Sequence, residues 1–276
     1  MRGSTPRGGT KIFEIDTMNS IPVMGTAIVN GVNWLERLIN SIDYPVDKFI
    51  IINNNGRDQI TKELDNIKDL NKKYIKHIHI CHLPSNIGCA GAWNLIIKSS
   101  IMNPYWIIVN HDVAFTPNFL ETMVKKAMVP SIGMIFGQPG KWNIGMWDIF
   151  LIKDWVIQKW GLFDENYYPA YCEDLDYVMR LLNFPSIREY VNLPYLHGET
   201  YEYSESGSQT IKNDNNLKNI IDCGRWINEN IYMNNKWGKN WRYLSVPKYP
   251  FNNDKLADSS YYKYDLDFIR SKYTGF

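Results

Sequence analysis

Short β-branched runs alternate with helical spacing through the first half of the chain. Residues 23–29, apolar apart from Thr26, read as a first strand. Trp34, Leu35, Leu38, Ile39 and Ile42 then recur at the three-to-four spacing of one helix face. Residues 49–52 are a second strand, ending abruptly in Asn53-Asn54-Asn55-Gly56. Leu64, Ile67 and Leu70 mark a second helix, and residues 75–83 a third strand. A helix follows over residues 90–101 and is closed by Pro104. Residues 105–109 read as a fourth strand ending in Asn110-His111-Asp112, before a helix over 119–129 and a strand over 132–136. This repetition predicts an α/β fold: a parallel sheet with right-handed crossovers and helices on both faces. Ligands bind at the carboxyl ends of strands in such sheets. The polar clusters at 53–56, 84–88 and 110–112 fall there, so three loops are expected to meet on one rim.

After Phe136 the rhythm changes. Residues 137–145 are a turn-rich loop, 146–152 a strand, and a helix runs on to Trp160. A loop over 161–170 leads to a helix over 173–182 and a strand over 187–191. A polar loop covers 199–216, and the Asn-, Lys- and Tyr-rich tail from 217 to 276 shows no clear organisation. The small, basic, Gly-rich opening reads as a leader outside the fold. The expected division is a leader at 1–10, one main domain at 11–200, and a C-terminal extension or linker at 201–276. A chain of 276 residues that is 45% hydrophobic suits one large domain with a sizeable core.

Charge narrows the function. Thirty Lys and Arg against 29 Asp and Glu give a net charge of +1. A general nucleic-acid binder needs a basic face, so that class is excluded, while a local basic pocket for one diphosphate is not. No apolar run approaches the roughly 18 residues of a membrane helix. Cys81, Cys89, Cys172 and Cys223 form no C-x-x-C pair and read as free thiols in a reducing compartment, a disulfide being the alternative.

Three segments carry candidate chemistry. In Asn110-His111-Asp112, a strand-end carboxylate is suited to a hard divalent cation that bridges two phosphates, although strand ends are often acidic for no such reason. In Tyr171-Cys172-Glu173-Asp174-Leu175-Asp176, three carboxylates open a helix. Capping explains acids there, and Glu173 or Asp176 can pair with Arg180. A general base deprotonating a hydroxyl is the functional alternative. In Asn86-Ile87-Gly88, with Gly91 and Asn94 beyond, glycines at a strand-to-helix turn let backbone N–H groups approach phosphates, or simply make a tight turn. Among the histidines, His77 and His79 share one strand face, and His197 stands before Gly198 in a polar loop.

Together these segments resemble the inverting GT-A glycosyltransferases of family two. Residues 23–30, the helix with Leu35 and Leu38, and Phe49 through Gly56 look like that family's first strand, helix and second strand. Asn54 stands where the family has an Asp that contacts the nucleobase. Asn86 through Asn94 is similar to its Asn-x-Gly…Gly…Asn segment, which lines the nucleotide. Asn110-His111-Asp112 takes the place of the Asp-x-Asp metal motif, with Asn for the first Asp. Trp160-Gly161-Leu162-Phe163-Asp164-Glu165 running into Glu173-Asp174-Leu175-Asp176 resembles its Gly-x-Phe-Asp-Glu…Glu-Asp-x-Asp block. The narrower likeness is to glycosyltransferases encoded by large algal DNA viruses.

The resemblance implies a Rossmann-like three-layer α/β/α sandwich with a mostly parallel central sheet and a C-terminal extension. It implies sugar transfer from a nucleotide-sugar, UDP-linked and carrying rhamnose or glucose, to a glycan or glycoprotein hydroxyl, with inversion. Asp174 is the expected base with Glu173 beside it, and Asp112 and His197 are the expected ligands of Mn²⁺ or Mg²⁺. Val29, Asn54, Asn86, Gly88, Asn94, Asn110 and Trp147 are expected around the nucleotide-sugar, and Asp148 on the sugar or acceptor side. The expected compartment is the cytoplasm, that of the host for a viral chain. A sugar nucleotidyltransferase is one rival, but it would place a Gly-rich phosphate loop after strand one, where Val29-Asn30-Gly31-Val32-Asn33 stands. A non-catalytic nucleotide-sugar or glycan-binding module is the other, favoured by the Asn-for-Asp replacements.

Overall fold

The computed structural model describes residues 19–55, 58–140, 145–199, 209–212 and 214–243. The expected leader, Gly56 and the tail after Tyr243 lie outside the described residues. The chain alternates β1 (Ile21–Ile28), α1 (Val32–Ser41), β2 (Val46–Asn53), α2 (Asp58–Asp65), β3 (Ile75–His82), α3 (Gly88–Lys98) and β4 (Tyr105–Val109). β5 (Val113–Phe115), α4 (Phe119–Ala127), β6 (Met134–Phe136), β7 (Ile149–Lys153) and α5 (Asp154–Trp160) follow. Then come α6 (Glu173–Leu181), β8 (Arg188–Tyr190), β9 (Tyr195–His197), α7 (Gln209–Lys212) and α8 (Asn215–Ile227). α8 continues through a π-helical turn, Asn228–Tyr232, into α9 (Met233–Trp237).

Seven strands make the main sheet, in the order β3-β2-β1-β4-β7-β6-β8. The two-residue period of a strand sorts its side chains into two cores. Phe49 and Ile51 of β2, and Tyr105, Ile107 and Val109 of β4, face α1, α2 and α4. Ile50, Ile52, Trp106 and Ile108 face α3, α5 and α6 on the other side. Strands buried on both faces must be apolar throughout, which is why β4 is the unbroken run Tyr-Trp-Ile-Ile-Val. Each such side chain contributes about 1.5–3 kcal/mol on burial.

The sheet is mostly parallel, as expected, with one strand reversed. β7 lies between β4 and β6 and runs antiparallel to both. Among the described residues of the β6–β7 connection there is no crossover helix, and the antiparallel pairing with the Pro139–Gly145 bridge makes it a hairpin rather than a βαβ unit. Gly145 makes the hairpin possible: a Cβ there would lie 1.8 Å from Phe136 Cγ. The sheet is therefore mostly, not wholly, parallel.

The C-terminal helices pack back on the domain. Met233, Trp237 and Trp241 join Tyr167, Cys172 and Met179 in a third apolar cluster. Among the described residues, no helix is long and apolar enough to cross a membrane.

Candidate active site

A cleft of about 700 Å³ opens at the carboxyl ends of β1, β2 and β4. Val29, Asn54, Asn86, Asn110, Asp112, Trp147, Glu173, Asp174 and His197 all line it. Gly88 and Asn94 do not, and the reason is structural. Gly88 has φ +81°, and a Cβ there would meet Tyr168 and the Pro169 carbonyl at 3.0 and 3.1 Å. Its N–H donates to Asn86 Oδ1 at 2.7 Å, closing the turn into α3. Asn94 is a buried clasp: Nδ2 donates to the Phe163 carbonyl and to Glu165 Oε1, both at 2.8 Å, and Oδ1 accepts from Phe163 N–H. It holds the Phe163-Asp164-Glu165 loop against α3. Asn54 lines the cleft, yet its amide is engaged between loops, accepting from Ile87 N–H at 2.8 Å and donating to the Gly88 carbonyl at 3.2 Å. It shapes the rim by tying the ends of β2 and β3 together.

On one wall, the short antiparallel pair β5 and β9 sets Val113 opposite His197. That register, with Gly198 N–H donating to the Asp112 carbonyl at 2.9 Å, brings His197 to Asp112 from far along the chain. His197 Nε2 lies 3.3 Å from Asp112 Oδ1, and its Nδ1 lies 3.5 Å from Asp148 Oδ2. Burial pushes the Asp112 carboxyl up, but His197, His111 and the Gln209 N–H outweigh it and hold the group well below the usual carboxylate range. Burial likewise pulls the His197 imidazole down, and Asp112 and Asp148 more than reverse that. For Asp148 burial wins and its carboxyl is raised, despite a 2.6 Å hydrogen bond from the Tyr195 hydroxyl.

Among the described residues, no group of three or more His, Cys, Asp or Glu is spaced to hold a metal. Asp112 and His197 supply two donors. His197 Nε2 is buried without a hydrogen-bond partner, facing a carboxylate oxygen off the line of a hydrogen bond. Carboxylate plus imidazole, with the remaining positions left to phosphate oxygens and water, fits Mn²⁺ or Mg²⁺ shared with a diphosphate.

The opposite wall is the start of α6. Tyr171 and Cys172 both have positive φ, 71° and 78°, a strained conformation for residues with side chains. Asn228 of the π turn holds this bend, donating to the carbonyls of Ala170 and Tyr171 at 3.2 and 3.0 Å. The bend sets Glu173 and Asp174 side by side on the cleft. Asp174 Oδ1 accepts from Leu175 N–H at 2.7 Å. Burial raises the Asp174 carboxyl. Glu173, only 4% exposed, is pushed up to about 8 by burial and then by the charge of Asp174.

Asp176, third acid of the block, is a structural residue. It pairs with Arg180 and Lys236 and accepts from Trp237 Nε1 at 2.7 Å. Lys236 reaches Asp164 as well, at 2.7 Å, so one α9 lysine bridges the two acidic segments.

The pKa of Glu173 has a consequence for stability. An acid whose pKa rises on folding keeps its proton in the native state after the unfolded chain has lost it, so stability falls as pH rises between the two values. Those values are 4.5 and about 8 here. Glu173→Gln mimics the protonated acid, so the variant should melt higher than the parent at the top of that window and alike at the bottom. Thermal melts at about pH 5 and pH 8 check this, with about 1.4 kcal/mol at stake per unit of pKa difference. A stability difference that did not widen with pH would mean Glu173 ionises normally.

Sequence reading passed over Trp93, Cys89 and the C-terminal Thr210, Ile211, Leu217 and Ile221, all of which line the cleft. Trp93 stacks on Trp147 with ring centres 6.3 Å apart, an aromatic floor suited to a sugar face. Only its place in the Asn86–Asn94 segment could have signalled it.

The family described as glycosyl transferase family 2 matches residues 29–190 of the 276. The chain belongs to that family. Among curated proteins, none matches the sequence of this glycosyltransferase. Among solved structures it is similar to the mannosyltransferase PcManGT from Pyrobaculum calidifontis, in complex with GDP-Man and Mn²⁺, at 10% identity and a TM-score of 0.54 over 92% of this chain and 79% of that one. It is similar to GalNAc-T7 with UDP, GalNAc and Mn²⁺ at 12% identity and a TM-score of 0.54, over 91% of this chain and 56% of that one. S. aureus TarS 1–349 in complex with UDP-GlcNAc matches at 12% identity and a TM-score of 0.51, over 68% and 61%. At these identities the likeness is one of fold, and this glycosyltransferase spans less than two thirds of the latter two chains.

Proposed function

We propose that this glycosyltransferase moves a sugar from a UDP-linked donor to a hydroxyl of a glycan or glycoprotein, with a divalent metal and with inversion. The observation that carries the reading is that one cleft holds an acid pair on a helix start and a carboxylate–imidazole pair on the other wall. Asp174 takes the acceptor proton as the hydroxyl attacks the anomeric carbon opposite the leaving diphosphate. A base with a raised proton affinity suits that task, and the Leu175 N–H steadies its charge. Glu173, pushed up to about 8 by burial and the Asp174 charge, keeps its own proton near neutral pH. Asp112 and His197 would hold the metal, which when bound neutralises charge gathering on the diphosphate. One displacement inverts configuration.

Two of the structural neighbours were solved with Mn²⁺ and two with a uridine nucleotide, which supports those choices as the first to test. The likeness to algal-virus enzymes puts UDP-rhamnose and UDP-glucose at the head of the donor panel. Nucleotide release from that panel, with and without Mn²⁺, tests the reading. Donors that bind without release would favour a binding module instead.

The metal assignment makes a separate prediction. Imidazole suits Mn²⁺ better than Mg²⁺, so His197→Ala should lower both the rate and the Mn²⁺-to-Mg²⁺ rate ratio. Kinetics in each metal decide it: an unchanged ratio would leave His197 as a packing residue, and full activity in EDTA would remove the metal from the mechanism.

A further inference from the structure

The two ends of the cleft differ in chemistry. The donor end presents Asn54, Asn86, Asn110, Asp112 and His197. Beyond Asp174, apart from Glu173, helices α6 and α8 contribute only Leu175, Val178, Leu217 and Ile221 to the lining. Helical spacing explains the arrangement. Val178 follows Asp174 by one turn on α6, and Leu217 and Ile221 are one turn apart on α8, so each helix presents an apolar face to the cleft that Asp174 also lines.

This wall is built firmly. Gly224 lets α8 press on the loop before α6, because a Cβ there would come within 2.4 Å of Pro169 Cδ. The Arg225 guanidinium lies 4.8 Å from the Tyr171 ring centre. An acceptor hydroxyl set against those four apolar side chains would lose hydrogen bonds to water and recover none from them. An apolar group there gains about 25 cal/mol per Å² covered.

We infer that this end of the cleft is an acceptor subsite for an apolar group, so the acceptor carries its reacting hydroxyl beside an alkyl or aryl moiety. The inference rests on the reading of Asp174 as the base, which defines the acceptor end. Calorimetry on the full chain tests it, using methyl, phenyl and n-octyl glucosides below micellar concentration, with and without UDP and Mn²⁺. The phenyl or octyl glucoside should bind at least ~10-fold more tightly than the methyl glucoside, by the area it buries. Comparing the two separates aryl from alkyl recognition. Val178→Ser and Ile221→Ser should each remove most of that advantage while leaving UDP affinity unchanged, which also shows that the variants fold. Trp226→Ser, on an α8 residue that is 61% exposed, should leave the advantage intact. Equal affinity for all three glucosides overturns the subsite, as does a loss in Trp226→Ser equal to that in Ile221→Ser. Failure of UDP to bind the parent chain would count against the transferase reading alone, since the glucoside comparison is also made without nucleotide.

Discussion

Asp174→Asn should lower sugar transfer by about 10²–10⁴ while nucleotide affinity stays nearly constant, the usual worth of a general base. The change is nearly isosteric, and the side-chain oxygen can still accept from Leu175 N–H, as Asp174 Oδ1 does at 2.7 Å. What disappears is the carboxylate proposed to receive the acceptor proton. The neighbouring Glu173 is poorly placed to substitute, because burial, the first cause of its raised pKa, still favours its protonated form once the Asp174 charge is gone. Any residual rate in Asp174→Asn should therefore climb with pH more steeply than in the parent. Asp176 is excluded as a replacement by its pairing with Arg180 and Lys236. Rates from pH 6 to 9, with UDP affinity measured in parallel, give the answer. Near-normal turnover at neutral pH would take the base role away from Asp174.

The largest effect on stability is expected at Lys236. Its ammonium is buried 2.7 Å from Asp164 and 2.6 Å from Asp176. Removing one partner of a buried ion network strands the others in a medium that solvates them poorly, at a cost of about 3–5 kcal/mol. Lys236→Met keeps much of the side chain's volume and removes the charge. It should drop Tm by on the order of 10 °C, and the loss should shrink in acid as the stranded carboxylates take up protons. Asp164 shows the sign: burial would raise its pKa, but Lys236 and the hydrogen bonds around it bring the net value below normal. Its stabilising contribution is therefore present above the ordinary carboxylate range and lost as pH falls through its folded value. A Tm change of only a degree or two at neutral pH would show that the network is not worth its charges.

Much of this architecture was legible from residue pattern. Residues 105–109 could be read as a strand to the residue because a doubly buried strand tolerates no polar interruption. The rim loops after β2, β3 and β4 were found because polar clusters end apolar runs there. Other features were hidden for physical reasons. β5 and β9 are three residues each, too short for periodicity, although their pairing brings His197 to Asp112. The reversed direction of β7 depends on a hairpin that closes only because Gly145 leaves room for Phe136. Gly88 and Asn94 sit in a motif that suggests ligand contact, while their hydrogen bonds go to the protein itself. Lys236 lies in an Asn- and Lys-rich tail where nothing in the sequence marks one lysine as buried.

That lysine also separates homology from autonomy. The family match ends at residue 190, and a researcher trimming the gene there would expect a self-sufficient catalytic core. Such a fragment would lack His197, Asn228 and Lys236. The bend carrying Glu173 and Asp174 would lose the amide that satisfies its carbonyls, and Asp164 and Asp176 would lose their shared counter-ion. The start of α6 would then lose contacts that hold the geometry around Glu173 and Asp174. A fragment ending at residue 190 should therefore be less stable than one that keeps Asn228 and Lys236, and comparing their thermal melts checks this.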